Sequence, residues 1–215
     1  MQATQEPIIE HKVAHHFQDA EQEFESAKIG MWAFIAQEIL FFSGLFVAYG
    51  IFRYLYPAAF LEGSHHLNRV LGTFNTLVLI TSSFTMVMAV FTAQHSKVKA
   101  CARYLMATFV LAGVFLVVKY FEYMEKINKG YLPGKYFSAE GSSEYLHIFY
   151  SIYFVATGLH ALHIIIGMGL ILWIYFKAKK GYFHSKYFTP VEMIGLYWHL
   201  VDIVWIFLFP LIYLL

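Results

Sequence analysis

Charge is what this sequence has least of: Asp, Glu, Lys and Arg make up 13% of its 215 residues, against about 25% in an ordinary soluble domain. So little charge, beside 59% hydrophobic and 20% aromatic residues, excludes a soluble fold and predicts a membrane protein. The net charge of +1 leaves no basic surplus for nucleic acid, so the expected partners are lipid and protein. A single cysteine, Cys101, excludes an internal disulfide framework, a thiolate cluster and the cysteine pair that a dinuclear copper centre needs. Also missing are a glycine-rich nucleotide loop, a soluble domain large enough to hold a cofactor, and internal repeats. The lack of repeated halves, with no broken helices in matching positions, speaks against a secondary transporter. Electron chemistry must then belong to a partner. The acids Glu6, Glu10 and Asp19 stand where a signal peptide would be basic, so the first helix is expected to be its own insertion signal.

What the sequence has in quantity is long apolar runs. A spanning helix needs about 20 mostly apolar residues, and windows of that kind fall at about 31–52, 70–93, 104–121, 148–176 and 191–215. The predicted fold is all-α and integral to the membrane: a bundle of five transmembrane helices over 29–215, preceded by a cytoplasmic tail over 1–28. Lys119 interrupts the third window and is expected to extend its ammonium to the interface along an apolar stem. The stretches "EGSHHLN" and "YLPGKYFSAEGSS" read as loops. With an odd number of spans the termini lie on opposite sides. Nine Lys and Arg on one side (Lys12, Lys28, Lys97, Lys99, Arg103, Lys177, Lys179, Lys180, Lys186) against five on the other (Arg53, Arg69, Lys126, Lys129, Lys135) predict a cytoplasmic N-terminus and an outward C-terminus.

Ionisable groups in the bilayer core cost from about 2.5 kcal/mol upward, so each calls for a partner. Glu38, eight residues past Gly30, lies roughly 12 Å along its helix at 1.5 Å per residue. His160 and His163 share a face of the fourth helix, and His199 and Asp202 sit within the fifth. Their depths overlap, so a hydrogen-bonded layer joining Glu38, the fourth-helix histidines and His199 or Asp202 is the expected arrangement. Three readings are open. The layer is helix contact alone, worth about 0.6 to 2 kcal/mol per bond; Glu38 is kept protonated or exchanges a proton, because removal from water disfavours a carboxylate; or His199 with His160 or His163 ligates a haem from two helices. The hydroxyls of "TFNTLVLITSSFT" are expected to let helices approach closely.

Five stretches together resemble subunit III of haem-copper terminal oxidases, in the five-helix bacterial form of cytochrome c oxidase subunit 3. They are "AQEILFFSGLFVAYG", "FNTLVLITSSFTM", "GVFLVVKYFEYMEKI", "FVATGLHALHIIIG" and "YWHLVDIVWIFLF". The likeness runs from about Lys28 to the C-terminus, and the last two stretches are the most specific. It implies a non-redox accessory subunit of a proton-pumping oxidase in the bacterial cytoplasmic membrane. Haem and copper would lie in partner subunits and none in this chain, with oxidase subunits I and II as partners, cytochrome c as donor to the complex and a respiratory supercomplex as a further setting. It also implies bound structural phospholipid, support of proton uptake, and protection of the catalytic centre from turnover inactivation. Glu38 matches the intramembrane glutamate of that family, His160, His163, His199 and Asp202 its polar positions, and Lys177 a basic residue near a lipid head group. Neighbouring assignments are the subunit III of a quinol oxidase and a relative that accompanies nitric oxide reductases. The retained Glu38 favours the cytochrome c branch.

Overall fold

The structure is a computed structural model that describes residues 13–15, 17–138 and 143–215. Among the described residues there are six α-helices and one short 3-10 turn: α1 (Ala20–Leu55), α2 (Pro57–His65), α3 (Arg69–Gln94), α4 (Val98–Asn128), α5 (Leu146–Lys179) and α6 (Thr189–Tyr213), with the 3-10 turn Gly134–Tyr136 between α4 and α5. Five of them are long and apolar enough to cross a membrane, as the composition predicts. Of the expected tail over 1–28, residues 1–12 and 16 lie outside the described residues, and its last part, from Ala20, is the first turns of α1.

Local chemistry sets the helix ends. The Asp19 carboxylate accepts from Gln22 N at 2.7 Å and caps α1, with Glu21 and Glu23 in the first turn, where the helix dipole favours negative charge. Asn68 caps α3 in the same way, accepting from Val70 N and Leu71 N. Pro57, which lacks an N–H to donate, opens α2 at its first position. Glu62–His65, four of the seven residues of the stretch "EGSHHLN" read as a loop, is therefore helical. Gly63 is required there because a β-carbon would run into the Phe149 ring of α5. Ser96, at φ 56°, turns the chain sharply from α3 into α4.

α6 is the central helix: 61% of its apolar window is buried, against 11% for α1. α3 packs on α4 and α6, α5 packs on α4 and α6, and α1 closes the side against α6 and α5. Hydroxyls of α3 hold the two large indoles of α6, with Trp198 Nε1 donating to Ser82 at 3.0 Å and Trp205 Nε1 donating to Thr76 at 3.1 Å. The pairing runs antiparallel, each indole finding a partner where hydrocarbon offers none. Large apolar side chains such as Leu40, Val70, Phe84 and Ile165 point outward, as a lipid-facing surface requires.

Candidate functional site

Glu38 falls at the middle of α1 and His163 at the middle of α5, and the structure joins them. His163 Nε2 lies 3.1 Å from Glu38 Oε2, while its Nδ1 lies 2.7 Å from the Leu159 carbonyl. A carbonyl only accepts, so Nδ1 carries a proton. Nε2 then either accepts from a protonated Glu38 or, as imidazolium, donates to a carboxylate. In both cases one proton is held between the two side chains. Phe42 packs against the imidazole at 5.1 Å, and the side chains are 15% and 11% exposed for His163 and Glu38. The pair is therefore sheltered without being sealed.

The other expected members of the layer are not hydrogen-bonded to this pair. His160 is fully buried, stacked on Trp205 at 5.1 Å and edge-on to Phe115 at 5.6 Å, and neither ring nitrogen has a partner. His199 Nδ1 lies 2.8 Å from Ser83 Oγ on α3. Asp202 is buried, with the Ser83 hydroxyl as its polar neighbour. Both nitrogens of His163 are engaged and His160 is walled by rings, so neither presents a nitrogen that could pair with His199 on a haem. Lys177, near the end of α5, sets its ammonium over the Trp173 ring at 4.2 Å, with Tyr182 at 6.0 Å.

Lys119 departs from expectation. It does not reach the interface but turns into the bundle, 4% exposed, and bonds Glu122 at 3.1 Å, the Tyr213 hydroxyl at 2.8 Å and the Tyr153 hydroxyl at 3.2 Å. Both tyrosines donate in turn to Glu122 Oε1, at 2.6 and 3.1 Å. The ammonium also sits over four aromatic rings within 5.4 Å. A buried ion pair is tolerated when its remaining donors and acceptors are met, and here three helices meet them. Lys126 nearby donates to the His66 carbonyl. The pair went unread in the sequence, where only the i, i+3 spacing of Lys119 and Glu122 within α4 signals it, and the tyrosines that complete it come from α5 and α6. Among the described residues no group of three or more His, Cys, Asp or Glu side chains is placed to hold a metal ion.

The chain as a whole is similar to known proteins of one family. The family model for Cytochrome c oxidase subunit III matches residues 8–215. The chain is 33% identical over 187 residues to the cytochrome c oxidase subunit 3 of Corynebacterium diphtheriae, covering 86% of each. It is 31% identical over 188 residues to that of Thermostichus vulcanus, covering 87% of this chain and 86% of the relative. It is also 30% identical over 200 residues to a heme-copper oxidase subunit I+III of Aeropyrum pernix, covering 88% of this chain and 23% of that longer protein.

Proposed function

We propose, from the premise that this chain belongs to the cytochrome c oxidase subunit III family, that it is the accessory, non-redox subunit of a haem-copper oxidase in a bacterial cytoplasmic membrane. As a multi-pass membrane protein it borders subunit I, holds phospholipid on its apolar exterior and sustains proton uptake by the complex. Haem and copper lie in the partners. Subunit II and cytochrome c, the donor, complete the working assembly, which can itself enter a respiratory supercomplex. A relative that carries subunits I and III in one chain supports the pairing with subunit I.

The observation that carries the proton-related part is the Glu38–His163 pair. It holds one proton at mid-depth, between α5 and α1, the least buried of the five spans. Lys177 and Trp173 supply a cation and an amphipathic ring at the end of a span, the chemistry that suits a phospholipid head group. The test is to purify the oxidase with and without this chain, at equal haem content, and follow turnover until activity is lost, together with proton uptake in vesicles. The complex without it should inactivate after fewer turnovers, take up protons more slowly and retain less phospholipid. Equal lifetimes and uptake rates would overturn the proposal.

A further inference from the structure

Where α4 begins and α5 ends, the two helices border a cavity of roughly 710 Å³ that the proposed function leaves unused. Its floor is apolar, formed by Ala102 and Met106 of α4 and the ring of Tyr175 of α5. Its rim carries three cations: Lys99 and Arg103, one turn apart on α4, and Lys179 on α5. All three residues are exposed, and among the described residues no acidic side chain lines the cavity. The Lys179 ammonium sits 5.6 Å from the centre of the Tyr175 ring, which places its charge beside that floor.

The two parts of the cavity call for one ligand with two chemistries. The rim suits a phosphate, which a guanidinium can hold through two parallel N–H bonds. A water-soluble anion would leave the apolar floor uncovered, and a hydrocarbon chain alone would bring no charge to the rim. Met106 follows Lys99 by seven residues, roughly 10 Å further along α4 at about 1.5 Å per residue. That distance is enough to cross a head-group layer about 5–8 Å thick and enter hydrocarbon. The cavity is also separate from the Lys177 contact. Lys177 and Lys179 are two residues apart, so at about 3.6 residues per turn they leave α5 on nearly opposite sides, and Lys177 is turned to Trp173 and Tyr182.

We infer that the α4/α5 cavity is a second lipid site, taking an anionic phospholipid with its phosphate on the rim of Lys99, Arg103 and Lys179 and an acyl chain along Met106 and Tyr175. The inference rests on the membrane-spanning fold and not on the oxidase partners. The full chain would be placed in vesicles of phosphatidylcholine and phosphatidylglycerol carrying a trace of either lipid with a photoreactive group in its acyl chain, and adducts on residues 98–106 would be counted by peptide mass spectrometry. Photoreactive phosphatidylglycerol should label that segment several-fold more than photoreactive phosphatidylcholine, and millimolar inorganic phosphate should not compete. Arg103→Gln should lower the yield about fivefold and Arg103→Gln/Lys179→Gln about twenty-five-fold, the weight of one and two cations at an anionic membrane surface. Met106→Trp, which fills the floor and keeps the rim, should lower it as well, and melting should stay at wild type in the double variant, whose positions are exposed. Equal labelling by the two lipids, displacement by free phosphate, or an unchanged yield in the double variant would overturn the site. So would a photoreactive residue at Met106 that joins a protein instead of lipid in native membranes. None of these results would touch the accessory role or the Lys177 contact, and a chain that brings down no haem-copper subunit would leave this site standing.

Discussion

Lys119 and Glu38 are the residues whose replacement separates structure from chemistry. Removing the Lys119 ammonium by Lys119→Met strands Glu122, which keeps two tyrosine donors but loses its counter-charge. Stranding one partner of a buried pair costs about 3–5 kcal/mol, while replacing both is near neutral. Thermal unfolding in detergent should therefore show a large loss for Lys119→Met and substantial recovery in Lys119→Met/Glu122→Leu; equal loss in both would refute the ion-pair account. At the other pair, Glu38→Gln keeps a donor for His163 Nε2 and should change stability by no more than about 1 kcal/mol. It cannot exchange the shared proton, so the assembled complex should show slower proton uptake at unchanged haem content. His160 invites the opposite experiment: His160→Phe removes two unmet nitrogens and keeps the stack on Trp205, and should melt at or above wild type, whereas His160→Ala opens a cavity costing about 2–5 kcal/mol. The sequence marked Glu38, His163, His199 and Asp202 as groups in need of partners. It did not show which would meet, because that depends on how the helices are rotated against one another, which sets His163 beside Glu38 and His199 beside Ser83. Lys119 was misread for the same reason, since Tyr153 and Tyr213 are remote in sequence.

Among the elements, α5 and α6 meet at a glycine. A β-carbon on Gly167 would stand 2.7 Å from the Trp198 ring, while one on Gly169, two residues on, would meet nothing within 4 Å. Gly167→Ala should cost about 1–3 kcal/mol by overpacking, and Gly169→Ala should be neutral or stabilising by roughly 0.5–1 kcal/mol. Comparing their melting temperatures checks the α5/α6 approach with a control on the same helix. The long helices were legible because lipid requires unbroken apolar length. The short α2 was not. Its "PAAFLEGSH" carries Gly and Ser that read as a turn, and its helix exists because Phe60 is fully buried and Gly63 admits Phe149.

The whole molecule keeps the Lys119–Glu122 pair, two bonded indoles and His160 inside an otherwise apolar core, and large apolar side chains such as Leu40, Phe84 and Ile165 also face outward. Such an exposed apolar surface suits lipid. The Lys and Arg bias predicts that a reporter that is active only outside the cytoplasm will be silent at the N-terminus and active at the C-terminus; the reverse pattern would contradict the orientation. The central claim, that this bundle is the accessory subunit of an oxidase whose redox centres lie in its partners, is tested most directly by affinity purification of the chain from native membranes. A reduced-minus-oxidised spectrum and copper analysis would be taken before and after the chain is stripped from its partners. The account predicts haem a and copper in the intact eluate, all of it remaining with the partners after stripping. Haem that follows the stripped chain, or an eluate with no haem-copper subunit, would contradict it.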